Sequence, residues 1–240
     1  MTDLELLEEL KKIDTPTVTN VVATYPGRPL CLEIYNPWTE NWYTNNTLKC
    51  WYPELGPIAG YAVTCTYGLP DPTYKKLSLM NVLEAMDKLG KPSIFCFQQK
   101  FPGEIADKVG LSGGNMTSSM RACGAIGAVS NGPSRDIHEI RPMKFQYLTR
   151  GICAGHGPQE VHAVQVPVSI AGMDVAPGEI IHMDENGAVK FPEQHAPAVL
   201  KNAQAMLDDE ARRLVDIRKA KTAAEVHAAN AGGAYSQKKP

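Results

Sequence analysis

The 240-residue chain predicts a mixed α/β protein with β hairpins and a long C-terminal helix. Residues 93–130 read as strand, glycine loop, helix, strand. Residues 146–191 hold short apolar runs punctuated by Pro177-Gly178 and Asn186-Gly187, the signature of strands joined by tight turns. Leu200, Ala203, Leu207, Ala211 and Leu214 recur at helical spacing, which predicts an amphipathic packing or interface helix from about 197 to 229.

Taken in order, residues 3–12 are amphipathic and predict a first helix. Asp14 or Thr15 caps a second near 16–23, ended by Pro26-Gly27. An aromatic-rich stretch of about 31–54 follows as loop or short strands. Ile58 to Tyr67 alternates as a strand does, and Leu77 to Met86 has helical spacing stopped at Gly90. Ser93 to Phe97 is the next strand. Leu111 to Asn115 is a breaker cluster, Met116 to Cys123 a short helix closed by Gly124, and Ala125 to Ser130 a buried strand feeding Asn131-Gly132-Pro133. Further strands are expected around 146–153, 161–170, 179–183 and 187–191, and 231–240 as a flexible tail.

With 43% hydrophobic and 21% charged residues the chain is ordinary globular material, and its length suits a single domain over 1–230. A formal charge of −2 gives no electrostatic reason to expect nucleic acid as a partner. The acidic start lacks the features of a secretion signal, and no run approaches the roughly 18 apolar residues of a membrane span. The expectation is a cytoplasmic protein. Cysteines 31, 50, 65, 96, 123 and 153 show no Cys-x-x-Cys spacing and are expected as buried thiols, with Asn45-Asn46-Thr47 an unused glycosylation pattern.

Chemistry concentrates between Gly113 and Glu139. A helix opening at a glycine turn presents unpaired N–H groups and a partial positive charge, so Gly114, Asn115 and Met116 are candidates to hold a carboxylate or phosphate. Arg135 and Asp136 lie just past the next strand, where ligands collect in open α/β sheets. On a helix beginning at Arg135, Asp136 and Glu139 would share a face and His138 would point away. Two carboxylates suit a hard cation such as Mg²⁺, which keeps waters and leaves positions for the ketone and carboxylate oxygens of an oxo-acid. Arg135 would bring fixed donors to a developing enolate oxygen.

Gly114, twenty residues, Arg135-Asp136, two residues and Glu139 together resemble the signature of the family named after the regulator of ribonuclease activity A, which includes 4-hydroxy-4-methyl-2-oxoglutarate aldolases. Asp14-Thr15-Pro16-Thr17, Gly60 to Thr64, Pro167 to Gly172, Pro177 to Ile181 and Asp184 to Val189 extend the similarity over about 14–192. The resemblance implies a layered β/β/α domain, assembled as a homotrimer or homohexamer with sites at subunit interfaces. It implies that Arg135 binds the ketone oxygen of a pyruvyl group and that Asp136 holds Mg²⁺, Mn²⁺ or another divalent cation directly or through water. Glu139 would then order metal waters, and the backbone at Gly114, Asn115 and Met116 would take the carboxylate. Some aldolases of the family carry Asp at the position of Gly114, so the substrate is expected to differ, and the 31–54 stretch has no match in compact members.

The function that follows is a metal-dependent carbon–carbon lyase acting on a 2-oxo acid by retro-aldol cleavage, with oxaloacetate decarboxylation as a side activity. The alternatives are a non-catalytic regulator that binds RNA-processing enzymes, and a sugar-acid dehydratase or isomerase using the same enolate chemistry. His156 and His182 are weighed as general bases and assigned structural or surface roles, and a metal-ordered water is preferred as base. Cys123 ends its helix, the wrong place for an activated thiolate, and Lys75-Lys76 and Lys238-Lys239 read as solvated surface.

Overall fold

A computed structural model describes residues 1–231; the expected tail lies, from 232 on, outside the described residues. The chain divides into two compact units, one of residues 1–15 and 41–193, the other of 16–40 and the chain from 194 on.

Helix α1 (Asp3–Leu10) opens on a reciprocal cap in which Thr2 and Glu5 satisfy each other's backbone N–H. Helix α2 (Thr15–Val22) follows, and the aromatic stretch is mostly loop, with one two-residue strand, β1 (Lys49–Cys50). Strand β2 (Ile58–Gly68) is buried along almost its whole length, as a central strand covered on both faces must be. Helix α3 (Leu79–Leu89) starts at Ser78, whose hydroxyl accepts from Met80 N, and stops at Gly90, whose φ of 61° is the left-handed conformation glycine adopts without strain. Then come β3 (Ser93–Gln99), the short α4 (Gly103–Ala106), α5 (Gly114–Ala122), β4 (Ala125–Ser130), the one-turn α6 (Ile137–Ile140) and β5 (Gln146–Thr149). Strands β6 (Glu160–Val164), β7 (Val168–Ile170), β8 (Met173–Val175), β9 (Ile180–Asp184) and β10 (Gly187–Phe191) precede α7 (Ala196–Ile217) and α8 (Ala223–Asn230).

In the first unit, β2, β3, β4 and β5 pair in parallel. The eight-stranded sheet runs β1-β5-β4-β3-β2-β9-β10, with β6 added antiparallel to the far end of β2. Its two faces carry separate cores. Val63, Cys65, Phe95 and Phe97 face Val82 and Met86 of α3 and Met120 of α5. Ala62, Ile94, Cys96 and Val129, offset by one residue, face Val168, Ile170, Met173 and Val175 of the β7-β8 ribbon. The result is a helix layer, a sheet and a second β layer, the β/β/α arrangement that the resemblance implies, with side chains of successive residues pointing to opposite faces.

In the second unit, Leu32 N donates to Val21 O at 2.7 Å, and Asn202 of α7 donates to Leu30 O at 3.0 Å. The helix expected over 197–229 is interrupted: α7 ends at Ile217, and Thr222 and Glu225 form a reciprocal cap that starts α8. Two more expectations are corrected. The strand over 161–170 is split because Gln165 takes a left-handed φ of 55°, and the strand expected to reach 153 ends at Thr149. No helix among the described residues is long and apolar enough to cross a membrane. Of the six thiols, Cys31, Cys65 and Cys96 are buried as expected, whereas Cys50, Cys123 and Cys153 are only half-buried.

Candidate functional site

The site is assembled from the loops that leave the carboxyl ends of β3, β4 and β5. Their backbones are laced together at Ser134: its N–H donates to Gly151 O at 2.9 Å, its carbonyl accepts from Cys153 N at 3.0 Å, and its hydroxyl donates to Ser112 O at 2.7 Å. Arg135 N closes the lattice on Ser112 O at 3.2 Å. Three loops that would otherwise move separately are thereby tied into one floor.

On that floor, Gly113, Gly114, Asn115, Met116, Arg135, Asp136 and Glu139 line one cleft of about 380 Å³. All six residues singled out in the sequence therefore meet. Asp136 Oδ2 accepts from Gly114 N at 3.1 Å and from Arg135 Nε at 3.2 Å. The Gly114 N–H first, and the Arg135 guanidinium second, hold the Asp136 carboxyl below the ordinary carboxylate range. Its other oxygen has no hydrogen-bond partner among the described residues. Asp136 sits at φ 57°, ψ 33°, a left-handed conformation uncommon for a residue with a side chain.

The two glycines are required by what lies against them. A Cβ at Gly113 would overlap Asp136 Oδ2 and approach Arg135 Nε to 3.1 Å, and one at Gly114 would overlap the Glu139 carboxylate. An Asp at 114, as some family aldolases have, would displace Glu139 from its present place.

Two details of the expected geometry are corrected. Arg135 and Asp136 precede α6 rather than lying on it; what joins Asp136 to Glu139 is a turn, with Glu139 N donating to Asp136 O at 3.0 Å. The Gly114 N–H is engaged by Asp136, so only Asn115 and Met116 present N–H groups that have no partner among the described residues.

Sequence reasoning assigned no part in the site to four residues from three places. His156 and Gln159, from the β5–β6 loop, line the same cleft, as does Leu111. His156 is exposed, with Nδ1 3.2 Å from Gly157 O. Its spacing from the Arg-Asp pair is set by strand pairing, which leaves no local pattern. The third is Tyr52 of the aromatic stretch. Within this stretch Trp42 and Tyr52 are buried, and the Tyr52 hydroxyl donates to Ile137 O at 2.7 Å, bracing the turn that carries Glu139. Arg141, ion-paired with Glu54, lies over the Tyr52 ring and secures the same turn from outside.

His182 is elsewhere, fully buried under α1, with Nε2 3.0 Å from Leu10 O and Nδ1 2.9 Å from Thr15 Oγ1. The carbonyl can only accept, so Nε2 carries the proton and Nδ1 accepts from the hydroxyl.

An anion-receptive helix start, a fixed guanidinium and two carboxylates at one cleft can bind an oxo-acid together with a divalent cation. A protein of Halalkalibacterium halodurans named as a putative 4-hydroxy-4-methyl-2-oxoglutarate aldolase is 29% identical over 104 residues, 42% of this chain and 50% of that protein. The chain spans about half the length of the curated relatives it matches, and less of one of them. Two solved structures share the fold. An uncharacterized protein from Pseudomonas syringae superimposes with TM-score 0.67 at 21% identity, covering 95% of this chain and 94% of that one. Streptomyces coelicolor RraAS2, described as an unusual member of the RNase ES inhibitor RraA protein family, gives TM-score 0.64 at 19% identity over 88% and 96%. Residues 36–190 match the model of the RraA-like family, described as Aldolase/RraA, and the chain belongs to that family.

Proposed function

We propose that the protein is a divalent-metal-dependent carbon–carbon lyase acting on a 2-oxo acid through a pyruvate-type enolate. The observation that carries this reading is the convergence of Arg135, Asp136, Glu139 and the free N–H groups of Asn115 and Met116 on one cleft. Among the described residues no three His, Cys, Asp or Glu side chains gather as a closed metal cage. A cation would rest on Asp136, directly or through water, and on water ordered by Glu139. Mg²⁺ or Mn²⁺ fits such an oxygen set, since these ions take one or two carboxylates and keep waters for exchange with substrate.

The substrate carboxylate would lie on the Asn115 and Met116 N–H groups at the positive end of α5. Arg135 would direct its guanidinium at the C2 oxygen and offset the charge that gathers there as the C3–C4 bond breaks. When bound, the cation supplies Lewis-acid polarisation of the same oxygen. In the retro-aldol direction the C4 hydroxyl loses its proton, C4 becomes a carbonyl, and the bonding pair passes toward the C2 oxygen. Glu139 would place the water that takes that proton. The family resemblance extends the reading to a trimer or hexamer with sites at subunit interfaces.

The test is pyruvate release from oxaloacetate and from 4-hydroxy-4-methyl-2-oxoglutarate, with Mg²⁺, with chelator, and with Asp136→Asn to subtract spontaneous metal-driven decarboxylation. Turnover that requires both the cation and Asp136 is the expected result. Equal release by the wild type and the variant from both compounds would remove these two substrates, and the same equality with a one-carboxylate 4-hydroxy-2-oxo acid would end the lyase reading.

A further inference from the structure

Beside the polar cleft lies a second cavity, of about 490 Å³, whose floor is the helix-side core of the sheet. Val82, Phe95 and Phe97 are at its base, and Leu77, Leu79 and Val161 form its sides. The two cavities adjoin: Leu111, Asn115, Met116 and Gln159 line both. A ligand anchored at the start of α5 therefore has its remaining atoms directed across Leu111 and Met116 into an apolar chamber.

The charge of that chamber is as informative as its polarity. Among the described residues that line it there is no Lys, Arg or His, and the single ionisable acid is Glu160, whose Oε2 accepts from Asp71 N at 3.1 Å. A second carboxylate on the substrate would meet no counter-ion and would face a like charge across apolar walls, where a charge is poorly solvated. An aromatic or branched aliphatic group would meet mostly the carbon of Leu77, Leu79, Val82, Phe95, Phe97 and Val161 and would gain from leaving water.

We infer that the substrate is a 2-oxo acid with one carboxylate and an apolar, preferably aromatic, far end, rather than a dicarboxylate. This rests on the lyase reading for the position of the carboxylate and ketone. A 4-aryl-4-hydroxy-2-oxobutanoate would lose its C4 hydroxyl proton to water while C4 becomes an aldehyde carbon. The C3–C4 electron pair becomes the enolate, and C3 takes up a proton to give pyruvate and an aromatic aldehyde. Atoms and electrons balance without an added oxidant or reductant.

Isothermal titration of the whole protein in Mg²⁺ buffer with phenylpyruvate and with 2-oxoglutarate separates the possibilities, because neither probe has a C4 hydroxyl to cleave. Phenylpyruvate is expected to bind roughly tenfold tighter or better. Glu160→Gln should narrow the gap by strengthening 2-oxoglutarate several-fold while leaving phenylpyruvate within about twofold, and Leu79→Asp should weaken phenylpyruvate roughly tenfold. Because Glu160→Gln is nearly isosteric, it keeps the test decisive if Leu79→Asp folds poorly. Binding of 2-oxoglutarate as tight as that of phenylpyruvate would overturn the inference. So would no phenylpyruvate binding, the result if a side chain of a second copy fills the chamber. Phenylpyruvate binding without Asp136-dependent pyruvate release from a 4-aryl-4-hydroxy-2-oxobutanoate would instead retain the chamber and remove the lyase.

Discussion

The backbone N–H of Gly114 donates to the Asp136 carboxylate across 3.1 Å, although twenty-two positions separate them in sequence. Helix α5 thus holds the acid that its own sequence does not contain, and the space that permits it is the missing side chain at Gly113. Gly113→Ala is expected to push Asp136 and Arg135 out of register. Pyruvate release should fall roughly tenfold to a hundredfold in kcat/KM, since small misplacements of positioned groups are costly. The melting temperature should move by only a few degrees. Wild-type turnover in this variant would show that the clamp is not needed.

Tyr52 braces the turn that carries Glu139 by donating to Ile137 O at 2.7 Å. Tyr52→Phe leaves the ring in the core and removes one of that carbonyl's two donors, the Arg141 N–H remaining, at a cost of about 1 kcal/mol. A further few-fold loss of activity is expected, larger than in a variant of equal instability far from α6. Calorimetry paired with the pyruvate assay checks both; an unchanged melting point would refute the brace.

His182 is held neutral, because burial pushes its pKa below the ordinary histidine value more than its hydrogen bond to Leu10 raises it. The folded chain therefore refuses a proton that the unfolded chain accepts below about pH 6.5. No stability is lost from this group above that pH. As pH falls from about 6.5 toward the depressed folded value, stability should drop by at most about 1.4 kcal/mol per unit. Denaturant melts at pH 8, 7, 6 and 5 should show a fall that is shallower in His182→Gln; identical slopes would assign the acid sensitivity to other groups.

Ser78 caps α3, a wall of the apolar chamber, by accepting from Met80 N while Asn81 Oδ1 accepts from Ser78 N. Ser78→Ala should cost about 1 kcal/mol, or roughly 2–4 °C in a chain of this size. Hydrogen exchange should quicken first in the opening turn of α3. Uniform quickening across the sheet would show that the cap acts globally.

Much of this was legible in the sequence, for identifiable reasons. Strands β3 and β4 were continuous apolar runs between breakers, and Gly90 and Gly124 marked helix ends because left-handed backbone needs them there. The six candidate site residues were legible because the glycine turn and the Arg-Asp-x-x-Glu string are each local. What was not legible depends on pairing between distant segments. His156 and Gln159 reach the cleft only because the loop after β5 is laced to Ser134. Tyr52 reaches Ile137 across 85 positions, so its role as a brace leaves no local pattern in the aromatic stretch. The breaks at Gln165 and at 218–222 were missed because apolar spacing continues through both.

The left-handed backbone at Asp136 sets local preference against chemistry. Glycine would relax that conformation by about 1 kcal/mol, but it would also leave the Gly114 N–H and Arg135 without the carboxylate they hold, a loss of similar size. The strain at this position is thus carried by the same carboxylate that the site displays, so endurance and chemistry are bound to one side chain and neither can be tuned there alone.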